Sequence, residues 1–556
     1  MTRYAVGVDF GTLTARAVVV DTATGRVAGS AAMDYPHGVM DAALPDGTPL
    51  KPDWALQHPQ DYLDCLSGAT RAALRQAGVG PEAVAGIGID CTACTVLPVD
   101  ADNVPLCLDP AFAGVPHAWM MLWKHHGGES YAARMTEAAL ARGETFLDRY
   151  GGKVSSEWLF PKLWQVLAEA PEVYAAADRF IDAADWLVQR LTGSDCRSGC
   201  IAGYKAFYDG GYPSRDFFAA LDPRLADVCQ TKLRGTILPL GSRAGELTAW
   251  GAELLGLVPG IPVAVGAIDA HVGLAGLGLT EPGSLLMLMG TSCCYLLADT
   301  ADIPVRGICG VVRDGILPGM MGYEAGQSCL GDHFAWVVQR LCPPAYHEEA
   351  ARRGIDLHRL LTEKAAALRP GESGLLALDW WNGNRSVLTD FDLTGMVMGM
   401  TLATRVEEIY RALIEATAFG AREIIDNYLK HGVNVRRLAA CGGIARKNPF
   451  LVQLWADVLN RPIEVAAADE GSALGAAVYG AAAAGRDAGG WDTVAEAARA
   501  MGSGTDRVYV PDPERAAVYE ALYREYHALH DWFGRGGSDV MKRLKALKLR
   551  ALEDNG

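Results

Sequence analysis

No stretch of this sequence comes near the roughly 18 consecutive apolar residues that a helical membrane span needs. A signal peptide has no room either: Met1-Thr2-Arg3-Tyr4 runs straight into a strand pattern, so a cytoplasmic protein is expected. Positive charge is in deficit. A formal net charge of -16 argues against nucleic acid or an anionic membrane surface as partner and leaves small molecules, with a homo-oligomer still compatible. The 13 cysteines are scattered rather than spaced as a disulfide framework. Cys91-x-x-Cys94 would need Cys196-x3-Cys200 beside it to complete a zinc knuckle, and packing cysteines are the simpler reading. No G-x-G-x-x-G follows a first strand, which removes the usual dinucleotide-binding fingerprint.

What is present begins with length. A chain of 556 residues exceeds a single hydrophobic core, so two large domains are expected. The pattern predicts strands over Tyr4–Asp9, Arg16–Asp21 and Val27–Tyr35, a meander, then a helix from His58 to Gly78 and a buried strand over Val84–Asp90. Residues 110 to 240 read as helix-rich insertions. A strand over Ile261–Gly266 then leads to Asp269 and a small-residue helix over His271–Gly278. After it the opening pattern recurs, with strands Gly283–Met289 and Cys293–Ala298 around a Gly-Thr-Ser turn and a later strand over Gly319–Tyr323. A long helix (Arg405–His431), a strand (Leu438–Cys441), a Gly-Gly turn, a strand (Ile463–Ala466) and a small-residue helix (Ala473–Ala484) complete the second half. Pro513–Phe533 reads as an amphipathic helix, and Val540–Leu552 as a basic terminal helix, solvated or packed.

Three turns carry the chemistry. Asp9-Phe10-Gly11-Thr12-Leu13-Thr14-Ala15-Arg16 joins two hydrophobic strands; Gly11 lets a phosphate approach the backbone, and Thr12 and Thr14 add hydroxyl donors. Asp9, at the strand end, is placed to hold Mg²⁺ through water. Read alone, the segment is equally an ordinary hairpin. Gly290-Thr291-Ser292 stands at the matching point of the other half. Gly442-Gly443, between a strand and the helix that starts near Pro449, offers bare backbone to an adenosine, with a helix N-terminus behind it. Asp269 follows a strand and, on the residues alone, reads as a helix N-cap. His125-His126 has no further ligands at suitable spacing for a metal.

Taken in order, two phosphate turns, a strand–Asp–helix joint and a Gly-Gly turn resemble the actin/hexokinase/Hsp70 (ASKHA) architecture. Within it the sequence resembles the FGGY carbohydrate kinases: Gly395-x-Val397-x-Gly399-Met400 followed by Glu408-Ile409 is close to the C-terminal signature, departing from it at Leu413. Pro161-Lys162-Leu163-Trp164 resembles the other signature, with its Trp one place nearer the Lys. The segments 153–158 (Lys153-Val-Ser-Ser-Glu-Trp158), 202–205, 322–328 and 379–385 are similar to the branch that phosphorylates L-ribulose.

The resemblance implies an α/β protein of two actin-like (ribonuclease H-like) domains. Residues 1–280 would carry the sugar pocket and first phosphate turn, 281–495 the second phosphate turn and adenosine turn, and 496–556 a helical segment with a basic tail. It implies Asp269 as general base and Trp123, Lys205 and Glu324 beside it in the sugar pocket. Read singly, Trp123 is a core residue and the other two are surface charges. It implies ATP held by Gly11, Thr12, Thr14, Arg16, Gly290, Thr291, Ser292, Gly442, Gly443 and Asn448, with Mg²⁺ on Asp9. The expected reaction is phosphorylation of L-ribulose at its C5 hydroxyl, in L-arabinose breakdown. The rivals are the same chemistry on D-ribulose, D-xylulose or glycerol, and an actin-like ATPase without a sugar acceptor.

Overall fold

Tyr4–Phe10 is almost wholly buried, as a central strand covered on both faces must be. It pairs antiparallel with Thr14–Asp21, which pairs antiparallel with Val27–Asp34. On its other side it runs parallel to Val84–Cys91, with Asp9 opposite Asp90. Pro262–Ala264 and Arg243–Glu246 extend that edge, and Ala267–Ile268 also pairs with Val84–Cys91. A computed structural model gives this arrangement and describes residues 2–467 and 471–553.

The second sheet repeats the plan. Ser284–Met289 pairs antiparallel with Cys293–Asp299, which pairs antiparallel with Met321–Gln327. Its other neighbour, Arg437–Cys441, is parallel and is followed by parallel Ile463–Ala466 and antiparallel Thr505–Tyr509. Each sheet therefore contains a three-strand antiparallel meander continued by parallel strands to an antiparallel edge strand, with Gly310–Arg313 added antiparallel beyond Met321–Gln327 in the second, and the turns at Gly11 and Gly290 occupy equivalent corners. In each, the leading glycine amide donates to a carbonyl of its own turn: Gly11 N to Thr14 O at 2.9 Å and Gly290 N to Ser292 O at 2.9 Å.

The helix Gly471–Ala484, rich in glycine and alanine, lies against Tyr4–Phe10 and Val84–Cys91 of the first sheet. The contact is backbone to backbone: a Cβ on Gly88 would stand 1.9 Å from Ala476 O, and one on Gly7 would stand 2.0 Å from Ala473 O. Val494–Met501 covers this helix and buries Ala497, Ala498 and Met501 in the same core. The chain thus returns to the first sheet after building most of the second. Residues 471–495, which the sequence groups with the second domain, and 496–501, which it groups with the terminal segment, sit on the first sheet because its glycine-lined strands accept only a small-residue helix.

The predicted terminal segment is likewise no separate unit. Thr505–Tyr509 completes the second sheet, and Pro513–Gly534 packs on the helices Val406–Lys430 and Pro449–Leu459. In the basic helix Val540–Glu553, Lys542 pairs with Asp390 at 2.6 Å and Lys545 with Asp392 at 2.9 Å, so it is packed rather than solvated. Residues 554–556 of that expected segment lie outside the described residues.

Two element boundaries move. The predicted strand Gly319–Tyr323 runs instead over Met321–Gln327, which puts Glu324 inside a buried strand. The predicted helix His271–Gly278 forms only over Gly273–Gly276. Asp269 is therefore not its N-cap, and the N-cap position falls to Val272. The insertion between Val84–Cys91 and Arg243–Glu246 of the first sheet is helical as expected and has its own core around Trp158, Phe160, Trp164 and Phe207. None of the described helices is long and apolar enough to cross a membrane.

Candidate active site

Three carboxylates meet where the first sheet's strands end. Asp9 faces Asp90 across the parallel pair, and Asp269 follows Ala267–Ile268, its amide bonded to Cys91 O at 2.9 Å. Asp90 is completely buried, and neither of its oxygens has a hydrogen-bond donor. Burial and the charges of Asp9 and Asp269 push its carboxyl well above the ordinary range. Burial, then the charge of Asp9, lifts Asp269 to about 7, against the pull of the Ala270 amide at 2.6 Å and of Lys205. Asp9 is also raised, chiefly by burial. Carboxylates this close resist ionising together unless a cation joins them, so the donor set fits Mg²⁺. Sequence reasoning offered Asp9 alone. Asp90 was legible as the one charged residue in an otherwise apolar and glycine strand.

Lys205 and Glu324, expected in the sugar pocket, are not surface charges. Both are buried and form an ion pair at 2.9 Å between the two halves of the chain. Burial opposes the Lys205 charge, but Glu324 outweighs it and raises that amine further. Glu324 also meets His271 at 3.3 Å and Arg385 at 3.4 Å. Burial would raise its carboxyl, yet Lys205 and His271 hold it well below the ordinary range. His271 and Arg385 were absent from the sequence-level pocket, although Arg385 closes one of the segments that resembled the family. His271 Nδ1 lies 3.3 Å from Cys200 Sγ, which gives that buried cysteine a packing partner. Neither His125, bonded to Gln165, nor His126, paired with Glu157, belongs to a cluster that could hold a metal among the described residues.

Trp123 is only half-buried, not a core residue. Its indole N–H donates to Thr12 Oγ1 at 3.1 Å, which ties the sugar side to the first phosphate turn. The preceding carbonyl, Leu122 O, accepts at 2.8 Å from Lys162, whose buried amine also reaches Cys94 O at 2.6 Å. Burial lowers that amine to about 8. The lysine of the second signature-like motif is thus a clamp on the backbone that presents Trp123.

The first turn is braced from behind. Tyr35 Oη donates to Gly11 O at 3.0 Å, and Gln57 Nε2 to Thr12 O at 2.8 Å. Thr14 begins its strand, and Arg16 lies opposite Asp9 in register. At the other corner, Gly290 and Thr291 are exposed and Ser292 is half-buried. Their carbonyls accept from the start of the helix Gly331–Arg340: Gly331 N to Gly290 O at 3.1 Å and Leu330 N to Thr291 O at 2.8 Å. Gly442, at φ 98°, passes so close to Met289 that a Cβ would stand 2.6 Å from its carbonyl oxygen. The Gly-Gly turn and the second phosphate turn are therefore neighbours. A Cβ on Gly443 would meet nothing within 4 Å, the open backbone that a nucleotide needs. Asn448 works through the fold behind that turn. Its Oδ1 caps the helix Pro449–Leu459 at Leu451 N (3.0 Å), and its Nδ2 reaches Thr362 (3.3 Å).

Family comparison agrees with this geometry. Residues 4–276 match the N-terminal domain of the FGGY family of carbohydrate kinases, and residues 285–484 match its C-terminal domain. A protein named ribulokinase from Geobacillus thermodenitrificans is 53% identical over 98% of this chain and 97% of its own length. Another from Mycolicibacterium smegmatis is 47% identical over 99% and 97%. Among solved structures, xylulose kinase from Rhodospirillum rubrum has a TM-score of 0.76 at 24% identity, covering 95% of this chain and 98% of that one. Gluconate kinase from Lactobacillus acidophilus has a TM-score of 0.77 at 18% identity over 96% and 99%; these two likenesses speak for the fold alone.

Proposed function

The chain belongs to the FGGY family of carbohydrate kinases, and from that premise we propose that this sugar kinase phosphorylates L-ribulose at its C5 hydroxyl, in L-arabinose breakdown. The observation that carries the reading is the buried Lys205–Glu324 pair beside Asp269, in a chain similar along its whole length to proteins named ribulokinase.

Asp269 accepts the proton of the attacking hydroxyl. A base whose pKa sits near 7 is half-ready at neutral pH and still strong enough to take a proton as the bond forms. Trp123 offers a flat face to the carbon skeleton, while Lys205 and Glu324 present a donor and an acceptor to hydroxyls and the keto oxygen. Gly11, Thr12 and Thr14 on one side, and Gly290, Thr291 and Ser292 on the other, bind the phosphates, with Gly442 and Gly443 under the adenosine. Arg16 supports Asp9 across the strand pair, and Asn448 acts by fixing the start of the helix behind the adenosine turn. Asp9 and Asp90 would hold Mg²⁺, which neutralises phosphate charge when bound. Because phosphoryl transfer is mostly positioning and charge stabilisation, these parts suffice. Closing of the cleft would keep water from competing with the sugar.

The test is kcat/KM for L-ribulose, D-ribulose, D-xylulose and glycerol. L-ribulose should rank first, since pocket donors and acceptors left unpaired by a wrong stereoisomer each carry a penalty. A higher value for glycerol or D-xylulose would overturn the substrate while leaving the kinase in place.

A further inference from the structure

The helices Val406–Lys430 and Pro513–Gly534 bring Glu423, His527 and His530 together, with one ligand atom from each within 4.8 Å of the others. His527 and His530 are three residues apart on one helix, so they share a face. Glu423 and His530 are buried, and half-exposed His527 closes the solvent side. We propose that Glu423, His527 and His530 form a binding site for a divalent transition metal, zinc by ligand type, that staples the C-terminal helix to the helix Val406–Lys430.

His530 supplies the strongest argument. Its Nδ1 lies 3.0 Å from Asp531 Oδ1 and, facing a carboxylate, must donate. That bond leaves Nε2 as a bare lone pair, and Nε2 is buried with no hydrogen-bond partner. Only 1% of that imidazole is exposed. A buried acceptor without a donor is unfavourable on its own, whereas a metal would satisfy it. A histidine oriented through its other nitrogen by a carboxylate is the arrangement that zinc ligands habitually have. His527 Nδ1 rests 2.7 Å from Glu423 Oε1, so both remaining ligands already point at one another. Atoms bound to one tetrahedral zinc stand about 3.4 Å apart, so a modest swing of the half-exposed His527 closes the site.

The charge balance is favourable. Around the three ligands stand Asp531, paired with Arg535 at 2.9 Å, and Asp426, facing Arg422 at 3.5 Å and the Tyr523 hydroxyl at 3.1 Å. Both neighbouring cations are thus already matched, and the charge of Glu423 is answered by neither of them. Magnesium, which prefers oxygen ligands, is a poor match for two imidazoles, so the site is chemically distinct from the Asp9–Asp90 pair. Nothing in the proposal depends on which sugar the enzyme uses.

The experiment is a cobalt(II) titration of the full-length protein with excess magnesium present, read as visible d–d absorption, together with thermal unfolding with and without zinc. One equivalent of cobalt should give an absorbing, imidazole-bound species that disappears in His527→Ala and in Glu423→Gln. Zinc should raise the wild-type Tm by roughly 2–4 °C and leave that of His527→Ala unmoved. Without zinc, His527→Ala should phosphorylate sugar at the wild-type rate. The control is the second imidazole–carboxylate group, His37, His58 and Asp61, behind the first phosphate turn. An undiminished cobalt signal in His527→Ala, or a signal abolished by His37→Ala instead, would overturn the assignment.

Discussion

As the proposed base, Asp269 must be ionised to work, in a place that discourages ionisation. Its folded pKa of about 7 lies above its ordinary value of 3.8, so the folded chain binds the extra proton between those values. The penalty is therefore absent below about pH 4, grows as pH rises, and is complete above about pH 7. Asp269→Asn should unfold at a higher temperature than the wild type at pH 8, and the gap should shrink toward pH 4. The same variant should lose about 10²–10⁴-fold in kcat while keeping its nucleotide affinity. In the wild type, kcat/KM for the sugar should climb with pH as one proton leaves, with its midpoint at or below about 7, because Mg²⁺ on Asp9 and Asp90 would offset part of the charge that raises this carboxyl; a rate that falls as pH rises from about 5 to about 7 would disqualify it. Glu324 poses the opposite case, one carboxylate answering Lys205, His271 and Arg385. Removing one partner of a buried ion pair costs about 3–5 kcal/mol. Glu324→Gln should accordingly lower the denaturation midpoint and raise the KM for sugar more than that for ATP. Little of this was visible in sequence: nothing local to Lys205 or Glu324 marks them as buried, because partners so far apart in the chain create the burial.

Elements fared better, and the failures have physical reasons. The meanders, the turns at Gly11 and Gly290 and the small-residue helix at 473–484 were readable from period and glycine placement. The strand at Met321–Gln327 was set two residues early because Gly322 and Gly326 dilute its apolar pattern. The helix after Asp269 was overextended because His271-Val-Gly-Leu-Ala-Gly-Leu-Gly looks helical in sequence, whereas the helix Gly471–Ala484 packs backbone to backbone against it. The glycines themselves separate into two kinds. Gly88→Ala would push a methyl into the backbone of the Gly471–Ala484 helix, where no side chain can give way. It should destabilise the protein by roughly 1–3 kcal/mol. Gly443→Ala meets open space, so its Tm should stay at the wild-type value while KM for ATP rises. If the two variants exchanged these behaviours, the adenosine turn would have been placed on the wrong glycine pair.

At the scale of the molecule, the chain passes between its halves three times, after the first sheet, after Ile463–Ala466 and after Val494–Met501. Two sheets with the same strand plan were foreseeable from the recurring strand–turn–strand shape. The return was not, since a small-residue helix carries no sign of which sheet it will cover. That return has a consequence for how the protein is made. A ribosome delivers Gly7, Gly86 and Gly88 early, but the helix that fits against them emerges only near the end of synthesis. Until then the first sheet presents an uncovered apolar face while the second half is already in the tunnel, and long-range closure of this kind is slow and exposed to aggregation. A fragment ending at residue 280 should be insoluble or protease-sensitive when expressed alone. Supplying residues 468–503 as a separate chain should restore protection. Ribosome-stalled chains released after residue 466 should remain protease-sensitive in the first sheet even though the second sheet's parallel strands are complete, so the N-terminal domain, although synthesised first, would mature only late in synthesis.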